Sequence, residues 1–130
     1  MGLYTIGYGG MGSADDLIDL VEELNATIYD VRLKTRAYLG CFNGASLKSK
    51  LGDDGYRHAE GLGNLNYKSG TEVNLQDPEP WLKEIQMRLE NDQNIILICS
   101  CKDVGVCHRR GIAEELEKRT GNVAVHFRQD

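Results

Sequence analysis

Two hydrophobic periods alternate along this chain. Leu3 to Ile6 is a short β-favouring run halted at Gly7, and further on Leu17, Leu20, Val21 and Leu24 recur at the spacing of an amphipathic helix. Ser13 and Asp16 stand in S-x-x-D capping spacing, and Asp15 and Asp16 suit the positive end of that helix. Thr27 to Val31 reads as a second strand, Ala45 to Leu51 as a short helix ended by Gly52, and Tyr56 to Ala59 as a third, brief strand. Glu60 to Gln76 follows neither period, and a loop of that length in a small domain is commonly functional. Pro78 and Pro80 open a helix whose expected buried stripe is Trp81, Ile85 and Leu89. Ile95 to Cys99 is apolar throughout, as in a strand covered on both faces. A last helix from Cys107 to Arg119 stops at Gly121, and Val123 to Phe127 reads as a closing strand.

Five strand candidates with helices between most of them predict a three-layer α/β/α fold, Rossmann-like, around a mainly parallel sheet. A chain of 130 residues fits one domain, 1–130. Its 15 Lys and Arg against 20 Asp and Glu give a net charge of −5, which argues against generic nucleic-acid binding but leaves room for a local cationic pocket. The apolar run at Ile95 is too short to span a bilayer, no secretory signal is visible, and the cysteines read as reduced thiols. The expectation is therefore a cytoplasmic protein without membrane partners.

Open α/β sheets bind ligands beyond the carboxyl ends of their strands, and the unusual residues of this chain collect there. Gly7, Tyr8, Gly9 and Gly10 follow the first strand, Asp30, Arg32 and Arg36 the second, and His58 and Glu60 the third. Cys99, Ser100, Cys101, Cys107, His108 and Arg109 follow the fourth. Gly7, Gly9 and Gly12 satisfy G-x-G-x-x-G with Asp30 beyond them, either a phosphate cradle or an ordinary tight turn. Arg32 and Arg36 offer forks for a phosphate or carboxylate, with Asp30 either in the pocket or paired structurally. The cysteine cluster admits a zinc site, a thiolate nucleophile, or a plain buried Cys99. Its C-x-C and adjacent Cys-His are not a usual finger spacing, and no cysteine of the cluster has an Arg six positions later, as a cysteine phosphatase requires. No metal and no cofactor is expected. His58, beside Glu60, is a pocket candidate or a structural histidine.

The order of these motifs resembles the DUF488 family of α/β proteins. The similarity rests on Leu3-Tyr4-Thr5-Ile6-Gly7-Tyr8-Gly9, Asp30-Val31-Arg32, Tyr56-x-His58 with Leu62-Gly63, and Cys99 followed by Cys107-His108-Arg109. Two departures stand out: Lys34-Thr35-Arg36 where the family has Pro and Ser-Arg, and Cys101 where it commonly has an acid. The resemblance implies a Rossmann-like fold, a polar pocket, and action on or binding of nucleotides or bases. Small stand-alone relatives in phage genomes also suggest sequestration of nucleotide immune signals, which would place such a protein in the host cytoplasm.

The leading expectation is a binding protein for a nucleotide-derived anion, in its sharpest form a sponge for a cyclic-nucleotide or ADP-ribose-type signal. Gly7 to Gly10 and the start of the last helix would hold phosphate, Arg32, Arg36 and Arg109 would neutralise it, and Tyr8 would stack on a base. The alternative is an enzyme modifying a nucleoside or nucleotide, with His108, Cys107 or His58 as the catalytic candidates. A homo-oligomer sharing the site is compatible with either.

Overall fold

A computed structural model of the protein describes residues 2–9, 11–37, 39–66, 72–100 and 108–127. Five strands, β1 (Gly2–Gly7), β2 (Ala26–Asp30), β3 (Tyr56–His58), β4 (Asn94–Cys99) and β5 (Val125–Phe127), form one sheet in the order β3-β2-β4-β1-β5. Every pairing is parallel, with β4 hydrogen-bonded to β1 and β2 along its length. Four helices, α1 (Asp15–Leu24), α2 (Gly44–Gly55), α3 (Pro78–Glu90) and α4 (His108–Thr120), complete three layers. Among the described residues no helix is long and apolar enough to cross a membrane.

The unbroken apolar run of β4 is explained by its central place. Ile95, Leu97 and Cys99 join a core with Leu82, Ile85 and Leu89 of α3 and Ile112, Ala113 and Leu116 of α4. Their neighbours Ile96 and Ile98 point to the opposite face, against Leu17 and Val21 of α1 and Leu47 of α2. The adjacent strands β1 and β4 therefore hand the chain to opposite faces, β1 to α1 and β4 to α4. That divergence opens a crevice at their carboxyl ends, the place where α/β sheets receive ligands.

Several local details differ from the periodicity. Ala14, not Ser13, precedes the first turn of α1, and no side chain caps it; the Ser13 hydroxyl accepts only the Asp15 N–H, at 3.3 Å. The helix expected to end at Gly52 resumes beyond it as one further turn, because Gly52 adopts φ 77°, a break that its missing Cβ allows. In α3 the buried stripe is Leu82, Ile85 and Leu89, while Trp81 is only partly buried, edge-on to Tyr29 and beneath the Arg57 guanidinium. The segment after β3 is more ordered than a plain loop. It forms a 3-10 turn, Glu60–Leu62, and an antiparallel bridge between Asn64 and Leu75.

At the sheet edge, Thr5 Oγ1 meets Nδ1 of His126 in β5 at 2.6 Å. Burial, helped by the charge of Arg109, holds this imidazole below its ordinary pKa. The unfolded chain then takes up the proton first as pH falls below about 6.5, so the folded state keeps its full stability above that value and loses it below. We expect the melting temperature of the protein to fall between pH 7 and 5, and His126→Gln to flatten that part of the profile. An unchanged slope in the variant refutes the assignment.

Candidate functional site

The chain that leaves β2 builds one wall of the crevice. Asp30 is fully buried, and Arg32, two residues on, folds back onto it: Nε donates to Oδ1 at 2.8 Å and Nη2 to Oδ2 at 2.5 Å. The Arg32 backbone N–H (3.2 Å) and the Tyr56 hydroxyl (2.5 Å) also donate to this carboxylate. The third guanidinium nitrogen, Nη1, donates to the Tyr8 hydroxyl at 2.9 Å. Burial works against the Arg32 charge, but the hydrogen bonds and charge of Asp30 outweigh it and raise its pKa. Burial and the same carboxylate push the Tyr56 phenol well above its ordinary value. Asp30 is thus a structural anion, and Arg32 a cation whose charge it already balances.

Two histidines brace this segment. Nε2 of His108 donates to the Val31 carbonyl at 2.7 Å, and Nε2 of His58 to the Arg32 carbonyl at 2.8 Å. A carbonyl only accepts, so in each ring Nε2 carries a proton. The next residues are held by α2: Gly44 N–H donates to the Thr35 carbonyl at 2.9 Å, and the Asn43 side chain accepts the Ala37 N–H at 2.6 Å. From the other side Gly63 lies against the Leu33 backbone so closely that a Cβ would come 2.5 Å from Leu33 Cα.

These walls enclose a cavity of about 560 Å³. Its floor is Cys99, Arg32, Met11 and Asn64, all buried; Lys34, Arg36, Leu39 and Ser100 are exposed at the rim. Tyr8, Gly9, Leu33, Ala37 and His108 line it between. The Tyr8 ring is stacked on Phe42 at 4.4 Å, so Phe42 already covers one of its faces. Among the described residues the lining contains no carboxylate, and Lys34 and Arg36 have no ion-pair partner. A positive patch is thereby set into an acidic protein.

The structure brings together Tyr8, Gly9, Arg32, Arg36, Cys99 and His108 of the residues singled out from sequence. Gly7 ends β1 and Asp30 lies beneath Arg32. His58 faces a smaller hollow of about 210 Å³ shared with Lys48, Asp53, Tyr56 and Arg57. Arg109 is fully buried and donates to the Cys99 sulfur. Gly10, Cys101 and Cys107 lie outside the described residues, among which no group of His, Cys, Asp and Glu is placed to hold a metal. The glycine turn does not run directly into a helix: α1 begins only at Asp15, with Asp15 and Asp16 in its first turn, where they repel an anion. A Cβ at Gly12 would meet nothing within 4 Å, so no close approach demands that glycine.

Phe42 and Asn64 were not singled out from sequence, and Tyr56 and Gly63 entered only as residues of the family resemblance, not as site candidates. Tyr56 carried a signal, since it shares a strand face with His58 beside an acid-bearing strand end; Phe42 and Asn64 carried none. Compared with known protein families, with curated proteins and with solved structures, the chain finds no match.

Proposed function

We propose that the protein binds a nucleotide-derived anionic small molecule in the crevice between β1 and β4. The observation that carries this reading is the division of one cavity into a buried interior, where Asp30 already balances the Arg32 charge, and an exposed rim bearing Lys34 and Arg36. Its 560 Å³ falls within the roughly 300–1,000 Å³ of small-molecule sites. Because Asp30 already balances Arg32, the anion is received by Lys34 and Arg36, and the base-like part enters beside Tyr8, Met11 and Leu39. Sequestration of a cyclic-nucleotide or ADP-ribose-type signal is the sharpest form of this function.

The test is a thermal-shift screen with mono-, di- and cyclic nucleotides and ADP-ribose, followed by recovery of the ligand from denatured protein. A ligand at 100 times its Kd adds about 2.7 kcal/mol of apparent stability, a shift of several degrees. Intact ligand in the supernatant supports binding, and a converted product supports the enzymatic reading instead. Lys34→Gln and Arg36→Gln each weaken binding about tenfold through loss of a charge-assisted contact. Both residues are exposed, so the unliganded melting temperature stays where it was. A panel with no shift for any member rejects the proposal.

A further inference from the structure

Arg109 sits in the first turn of α4, wholly buried, with Nη1 donating to the Cys99 sulfur across 2.8 Å. A guanidinium does not shed its proton in a protein, so the acceptors built around it must offset a charge removed from water. One of those acceptors is the thiol that ends β4. A neutral S–H is a weak acceptor, whereas S⁻ is a strong one, so this contact favours the thiolate.

Among the described residues, the other charged and titratable groups near Cys99 do not oppose it. α4 brings His108 into the same cavity, and Arg32 lines it with its charge balanced by Asp30. Asp30 itself registers with Ile98 and so points to the opposite sheet face from Cys99. On the Cys99 face, β5 contributes His126, which burial and Arg109 press toward its neutral form. From the β1 turn comes the Tyr8 phenol, occupied by Arg32. Cys99 is 1% exposed, yet it forms part of the cavity wall, below the cationic rim.

We propose that Cys99 is a thiolate nucleophile at the floor of the pocket, open to covalent capture of small anionic carbon electrophiles gathered by Lys34 and Arg36. In that step Sγ forms a bond to the electrophilic carbon while the leaving group departs with its bonding electron pair. The thiol proton is already in solvent, so no base is consumed, and the product is a thioether with a neutral sulfur that keeps the anionic group of the electrophile. The proposal goes beyond reversible binding and does not require the natural ligand to be a nucleotide.

The experiment is alkylation of the full chain with iodoacetate and with iodoacetamide, read at Cys99 by peptide mass spectrometry, with the urea-unfolded chain as reference. A thiol of ordinary pKa near 8.5 gains roughly 70-fold in rate between pH 6 and 8. Native Cys99 is expected to change less than about threefold over that range, and Cys99→Ser to lose the corresponding thiolate absorbance at 240 nm. The iodoacetate-to-iodoacetamide rate ratio should exceed that of the unfolded chain at least about fivefold and return to it in Lys34→Gln/Arg36→Gln. A native Cys99 that stays unmodified, or whose rate climbs as steeply as in urea, overturns the proposal, and an unchanged reagent ratio overturns recruitment by the rim. Failure of every nucleotide to bind leaves these rates untouched, so the two readings fail separately.

Discussion

Asp30→Asn lowers the unfolding free energy by about 3–5 kcal/mol, the usual result of removing one partner from a buried ion pair. For a chain of this size that is a fall of roughly 10–20 °C in melting temperature. The amide keeps the volume of the carboxylate but not its charge, and it strands a guanidinium that is 6% exposed. Two further donors, the Tyr56 hydroxyl and the Arg32 N–H, lose their charged acceptor at the same time. The same physics predicts a rescue. Converting the whole group, as Asp30→Leu/Arg32→Met/Tyr56→Phe, removes the stranded guanidinium and phenol, leaves the residue-32 backbone N–H without its acceptor, and recovers most of the loss, because an apolar replacement of a buried pair is often neutral or better. Urea unfolding followed by circular dichroism measures both variants. A single-variant loss under about 1 kcal/mol, or a triple variant less stable than the single one, contradicts the role given to this network.

Gly63→Ala is the second large effect, and its sign is informative. Gly63 has φ −67° and ψ 142°, a conformation any residue adopts, so Ala here ordinarily stabilises by about 0.4–1 kcal/mol. The new methyl, however, would lie 2.5 Å from Leu33 Cα and 2.8 Å from Leu33 N, both backbone atoms that cannot rotate aside. We expect a loss of about 1–3 kcal/mol from overpacking. The displaced segment is the one that carries Arg32, Lys34 and Arg36, so anion binding falls with it. A Gly63→Ala protein as stable as the parent, with ligand affinity intact, would show that this wall yields.

Much of the architecture was legible because local periodicity reports which faces are buried. The unbroken apolar run at Ile95 announced a strand covered on both faces, and β4 lies between β1 and β2. Chain segments ending in Tyr8, Arg32 and Cys99 were expected on one sheet edge, and those three residues do line one cavity. The same reasoning was silent where packing decides. Arg32 and Asp30 are near neighbours in sequence, but whether they face a ligand or each other depends on Tyr56 of β3 and on Tyr8 in the turn after β1. His58 and Arg109 belong to the same motifs as the pocket residues, yet one faces a separate hollow and the other lies behind Cys99. Phe42 entered no pattern at all, and its place beneath the Tyr8 ring comes from a short turn before α2.

The amino-acid order therefore settled the layered α/β class, since alternating periods of burial are a property of short stretches. It also assigned the chemistry-bearing residues to strand ends, because such residues tolerate exposure and interrupt regular hydrogen bonding. Strand order, the divergence of the chain at β1 and β4, and the choice of which candidates share a cavity belong to the folded molecule. They depend on pairings between residues far apart in sequence and on the direction each side chain takes once its neighbours have packed, neither of which any local pattern encodes.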